Sequence, residues 1–212
     1  MPPPPSGAYF PVSLDVAGRP CLVVGGGPVA ARKAAALLAC GARVTVVAPE
    51  VGEAMARLTP LAVERRPYRA GEAAGYRLVI TATGRAEVDG AVFADAESAG
   101  VWVNSADDRE HSSFILPSVH RDGAVTVAVS TSGSSPALAT WLRGRLADQV
   151  GGRVGQLAGL LAAARRRLHE EGRSTESVDW AALLDGPLPA LVEAGRLDEA
   201  RALVAAAAGV SL

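Results

Sequence analysis

Aromatic residues are scarce in this 212-residue chain, at 4%. That scarcity argues against a base-stacking surface and against an all-β sandwich. Cysteine is nearly missing. Cys21 and Cys40 are too few for a disulfide scaffold and lack metal-ligand spacing. Both stand in apolar segments, so buried thiols in a reducing compartment are expected. Neither charge sign is in excess: 21 basic and 22 acidic residues give a formal net charge of -1. No global field draws the chain to nucleic acid or anionic lipid, so an anionic ligand must be held locally. No apolar run reaches the roughly 20 residues of a membrane span. Met1–Ser6 carries neither the basic nor the apolar region of a secretion signal. It reads as a polyproline II tail, and the protein as cytoplasmic, with no membrane contact. Lys33 is the one lysine, which reads as codon bias and suggests no function. His111, His120 and His169 are scattered without ligand spacing, so no tight metal site is expected.

What is present is the composition of a folded globule, 49% hydrophobic and 20% charged. Residues 21–24 form a short apolar run that stops at Gly25-Gly26-Gly27, the mark of a buried strand. The alanine-rich stretch Pro28–Ala39 predicts a helix that Gly41 ends. Residues 43–48, 61–65, 77–82 and 101–104 predict further strands, and 86–99 a helix. Strands alternating with helices imply a parallel sheet covered on both faces. The pattern then changes. Ser113–Leu116 and Ala124–Ser130 read as strands about a turn at Arg121-Asp122-Gly123, and a helix starts near Pro136. The rest is helical, with Leu157, Leu160, Leu161, Ala164 and Leu168 forming an apolar stripe. The expected fold class is α/β: a Rossmann-type domain over 1–112 with a tail at 1–7, a small α+β dimerisation and substrate region over 113–150, and an all-helical region over 151–212.

Gly25-Gly26-Gly27-Pro28-Val29-Ala30 is a G-x-G-x-x-A pattern between a strand and a helix. Gly25 permits a tight turn, Gly27 lets a pyrophosphate approach the backbone, and Ala30 allows close helix–sheet packing. The helix N-terminus offers free N–H groups to phosphate. Glu50 ends the second strand, where a carboxylate accepts from ribose hydroxyls and repels a 2′-phosphate, favouring NAD over NADP. Thr83 sits either at the cofactor crevice or in a helix cap. Asp107 and Asp108 follow a strand end facing that crevice; they serve either a solvated turn or, as general base, the reaction. His111 stands near enough in sequence to line the same cleft. Residues 130–136, Ser-Thr-Ser-Gly-Ser-Ser-Pro, form either an ordinary capped turn with Ser135 as N-cap or a second anion site. Arg165–Arg167 reads as the wet face of a helix.

Four segments resemble the dehydrogenase–chelatase module of siroheme synthase: residues 23–50, LVITAT at 78–83, VNSADD with FILPSV at 103–108 and 114–119, and VAVSTSGSSPALATWLRGRL at 127–146. The resemblance implies a homodimer and NAD-dependent oxidation of precorrin-2 to sirohydrochlorin, with ferrous iron then inserted as a substrate in bifunctional members. It assigns Pro28, Val29, Pro49 and Glu50 to cofactor contacts, beside Gly25, Gly27 and Thr83. It assigns Asp107 to catalysis of both reactions. It places Thr131, with Ser130, Ser132 and Ser134, in the turn that faces the tetrapyrrole. Arg143 and Arg145 on the next helix suit the substrate's carboxylates. Two departures stand out: Ser132 replaces a family glycine, and Arg109-Glu110-His111 departs from the usual loop. The alternatives are a dehydrogenase without chelatase activity, a small-alcohol or hydroxy-acid dehydrogenase, and a non-catalytic NAD-binding module. Tyr68 and Tyr76 lack the lysine partner the second of these would want.

Overall fold

The computed structural model describes residues 9–212, so the tail expected at 1–7 lies outside the described residues. The chain forms two compact units, one reaching to Leu116 and the other spanning Pro117–Leu212.

In the first unit the elements are β1 (Pro20–Val24), α1 (Pro28–Ala39), β2 (Arg43–Val47), α2 (Glu53–Ala56), β3 (Ala62–Glu64), a 3₁₀ turn (Glu72–Gly75), β4 (Leu78–Thr81), α3 (Ala86–Ser98) and β5 (Trp102–Ser105). All five strands run parallel in the order β3-β2-β1-β4-β5. Alternate side chains of a strand point to opposite faces. Cys21 and Val23 therefore join Val44, Val46 and Ile80 beneath Ala30, Ala34 and Leu37 of α1. Leu22 and Val24 join Val47, Val79 and Val103 beneath Val92 and Ala96 of α3. The alanines of α1 let the helix lie close to the sheet. Cys21 is fully buried, and burial pushes its thiol up to about 11. Cys40 is only half-buried, against expectation, because it caps the C-terminus of α1 beyond the helix's core stripe.

Residues 113–116 are not a strand. Ser113 instead closes the outer edge of β5: its hydroxyl accepts the Val103 N–H at 2.8 Å and its own N–H donates to the Val103 carbonyl at 2.8 Å. The Ser112 hydroxyl accepts the Ser105 N–H at 2.9 Å. Phe114 then turns into the core under α1. The apolar run expected as a strand is thus a loop that returns along β5 and rests Phe114 against the core.

The second unit begins with an antiparallel hairpin, β6 (Ser118–Asp122) and β7 (Val125–Val129), so the turn falls at Gly123-Ala124 rather than at 121–123. Gly123 adopts φ +55°, which suits this tight reversal. Helix α4 (Pro136–Val150) packs on the hairpin. Then come α5 (Val154–Glu170), a 3₁₀ turn (Thr175–Ser177), α6 (Trp180–Asp185), α7 (Leu188–Glu193) and α8 (Leu197–Ala208). Ala164 and Leu168 of α5 meet Leu183, Leu188, Val192, Ala200 and Val204 in a helical core. Asp122 joins hairpin to helices by accepting the Gly155 N–H at 2.8 Å.

Candidate active site

The carboxyl ends of β1, β2, β4 and β5 lie along one edge of the sheet, where ligands bind in open α/β folds. Gly25 leaves β1 with φ +127°, a conformation that L side chains rarely adopt. A Cβ there would stand 2.4 Å from the Ala82 carbonyl oxygen. A Cβ on Gly26 would stand 1.9 Å from the carbonyl oxygen of Glu50. The Gly26 carbonyl accepts the Gly52 N–H at 3.0 Å. The loop after β2 is therefore seated on the glycine turn, and it sets Pro49 and Glu50, both exposed, beside that turn.

Gly27 is different. A Cβ added there meets no heavy atom within 4 Å, so this face of the turn is open. Gly27 is the N-cap of α1 and supplies no side-chain cap, and Pro28 follows at the first helical position. Among the described residues, the N–H groups of Gly26, Gly27, Val29 and Ala30 donate to no acceptor; the first helical bond is Ala31 N–H to the Gly27 carbonyl, 3.0 Å. Open space facing several free amides at a helix N-terminus is the chemistry a diphosphate requires. The residues present therefore fit the dinucleotide.

Thr83 is turned to a structural task. Its hydroxyl lies 2.8 Å from Asp89 Oδ1 and accepts the Arg85 N–H at 3.0 Å, tying the turn after β4 to the start of α3. Asp89 also takes the hydroxyl of buried Thr81. Sequence reasoning missed Asp89 as the acceptor that fixes this turn.

Asp107 is exposed one residue beyond Ala106, whose N–H donates to the Thr81 carbonyl at 2.9 Å and so continues the sheet. No hydrogen bond occupies the Asp107 side chain among the described residues. Lys33 on α1 lies within its electrostatic reach. Burial and neighbouring Arg32 lower the Lys33 amine below the ordinary lysine value, and Asp107 opposes them. The sequence carries one signal for this residue: it is the single lysine among 21 basic residues. Lysine, unlike arginine, adjusts its protonation readily when desolvated.

The serine-rich turn belongs to the second unit. Ser135 caps α4 by accepting the Leu138 N–H at 3.2 Å. The Thr131 hydroxyl accepts the Ser135 N–H at 3.1 Å and donates to its carbonyl at 3.0 Å. Ser130 accepts the Ser132 N–H at 3.1 Å. Ser132 holds φ +53°, a left-handed conformation that favours glycine. Ser132 and Ser134 are exposed. Arg143 is half-buried on α4, and its Nε is buried without an acceptor among the described residues. Arg145 lies over the exposed Trp141 ring, 5.8 Å from its centroid.

A five-stranded parallel sheet with an open glycine turn at its carboxyl edge defines a dinucleotide-binding α/β protein. The chain belongs to the family described as putative NAD(P)-binding, whose model matches residues 12–118. A second model, sirohaem biosynthesis protein central, matches residues 122–149. The chain is 40% identical over 199 residues to a siroheme synthase of Chromobacterium violaceum, covering 92% of this chain and 42% of that protein. It is 37% identical over 206 residues to a siroheme synthase of Methylococcus capsulatus, covering 94% and 43%. The chain thus spans less than half the length of these curated relatives. A solved precorrin-2 dehydrogenase shares the fold, with a TM-score of 0.72 and 24% identity, over 92% of this chain and 98% of that one. The resemblance to siroheme synthase carried by the sequence motifs is therefore upheld.

Proposed function

We propose that this chain oxidises precorrin-2 to sirohydrochlorin with NAD, as a cytoplasmic homodimer, and inserts ferrous iron into the product to give siroheme. One observation carries the reading: an uncapped glycine turn with free amides and an unpaired carboxylate, Asp107, lie on the same edge of one sheet. The siroheme synthase relatives supply the substrate class. NAD, when bound, accepts a hydride, that is one proton with two electrons, from the macrocycle.

The chain's residues then have distinct tasks. Gly25 and Gly27 shape the turn, and the Val29 amide meets the diphosphate. Pro28 presets the first helical turn without an N–H to satisfy. Pro49 and Glu50 lie at the adenosine end, where Glu50 accepts from ribose hydroxyls and selects NAD over NADP. Thr83 holds the turn that borders the nicotinamide end. Asp107 takes the proton lost as the ring is oxidised, and serves again when two pyrrole protons leave for iron. Ser130, Thr131, Ser132 and Ser134 bind substrate carboxylates, with Arg143 and Arg145 on the following helix. The hairpin with α4 is the dimerisation region. Support for that part comes from its exposed apolar side chains, Val119, Leu138, Trp141 and Leu146.

The test is anaerobic incubation with precorrin-2 and NAD, then with ferrous iron, recording the spectrum after each addition. Asp107→Ala is expected to lower the oxidation rate by about 10²–10⁴-fold with NAD affinity unchanged. Normal turnover by that variant removes Asp107 from the reaction. Iron insertion into sirohydrochlorin without NAD decides the chelatase step independently.

A further inference from the structure

We propose that Asp108 and His111 form a clasp that positions Asp107 for proton transfer. The proposal rests on the functional reading above, in which Asp107 is the base. Asp107 is bracketed by two fixed neighbours while its own carboxylate stays unpaired. On one side Ala106 is held by the sheet through the Thr81 carbonyl. On the other, Asp108 is held through both its side chain and its backbone. Asp108 Oδ1 accepts the N–H groups of Glu110 and His111 at 3.0 and 3.3 Å. Its Oδ2 lies 2.5 Å from His111 Nδ1. Its carbonyl accepts the Ser112 hydroxyl at 2.8 Å, and the same hydroxyl accepts from Ser105 on β5. The loop is thereby returned to the strand it left.

A plain turn needs only the two backbone N–H groups on Asp108. The imidazole adds a further constraint. Its ring stands edge-on to Phe93 of α3, with centroids 5.1 Å apart and an interplanar angle of 76°. Phe93 packs on the core under α3, so the clasp connects the loop to the rigid body of the unit. The hydrogen bond between them holds the His111 imidazole above its ordinary value and the Asp108 carboxyl below its own. Both side chains remain over two-fifths exposed, at 44% and 43%, so the pair adds little to global stability. Its effect is on placement. A base must be held to about half an ångström, and a displacement of about 1 Å can cost about 10²-fold in rate.

The experiment compares His111→Ala with His111→Gln, whose side-chain amide can still donate to Asp108. His111→Ala is expected to lower kcat for precorrin-2 oxidation about tenfold, leaving KM and the NAD Kd within about twofold. His111→Gln is expected to recover most of that loss. Amide exchange at Glu110 in the free protein should speed up in His111→Ala and return in His111→Gln. An unchanged kcat in His111→Ala overturns the proposal, whatever the exchange rate. So does a kcat that falls together with NAD affinity and melting temperature, because that is loss of structure rather than of placement. Wild-type protein that binds NAD yet leaves precorrin-2 unoxidised overturns the functional reading instead, and with it Asp107 as the base to be placed.

Discussion

Two junctions in this molecule share one plan. β1 enters α1 through Gly25–Gly27 and Pro28; β7 enters α4 through Ser130–Ser135 and Pro136. Each puts proline at the first helical position, where its missing N–H removes no helical bond. They differ in what meets the remaining amides. At α4 the Ser135 hydroxyl caps the helix and Thr131 laces the turn together. At α1 the N-cap is a glycine, and its amides are left to whatever ligand arrives. A self-capped helix is finished by its own chain, whereas an uncapped one keeps its binding capacity at some cost in stability. The second junction can still contribute Ser132 and Ser134, but as exposed hydroxyls rather than as a diphosphate cradle.

The largest expected effect breaks the first junction. Gly26→Ala drives a methyl group into the Glu50 carbonyl, and backbone cannot yield cheaply there. Denaturant unfolding should show a loss of about 3 kcal/mol, and calorimetry should show NAD uptake abolished. Retained NAD affinity would mean this turn is not the cradle. A reciprocal pair sharpens the contrast. Ser135→Ala should destabilise the protein by about 1 kcal/mol with NAD affinity unchanged. Gly27→Ser meets open space, so it should gain a few tenths of a kcal/mol, by roughly the usual N-cap difference, yet weaken NAD binding about tenfold. Equal NAD affinity in both variants would erase the distinction between the junctions. Ser132→Gly is expected to change stability alone. Relieving a left-handed serine should raise stability by up to about 1 kcal/mol, read as a shift in the denaturant midpoint.

Much of this was legible in the amino-acid order. The glycine turn and the alanine run fixed α1 at Pro28–Ala39, and Ser135 with Pro136 fixed the start of α4, because caps and breakers are local signals. The segment Ser113–Leu116 reads as a strand but is a loop that rests Phe114 against the core and leaves Leu116 exposed, a tertiary arrangement that periodicity does not encode. The true strand, Ser118–Asp122, carries Val119 as its one apolar residue, so it offers no apolar alternation to detect. Helix α2 is a single turn and left no period to detect. At the site, Gly26 was overlooked because its constraint comes from a loop arriving after β2 rather than from its own torsion. Lys33 and the Asp108–His111 pair likewise acquire meaning only once α1, α3 and the loop after β5 are brought together.

The serine hydroxyls along β5 have one more effect. A strand at the rim of a sheet carries outward amides and carbonyls that invite another chain to zip on, the usual seed of fibrils. Here Val103 and Ser105 find those partners within the same polypeptide, in the adjacent Ser113 and Ser112 of the returning loop. The border of the nucleotide-binding sheet is therefore stitched shut, which stops a sixth strand from joining there and guards the protein against polymerising through that side.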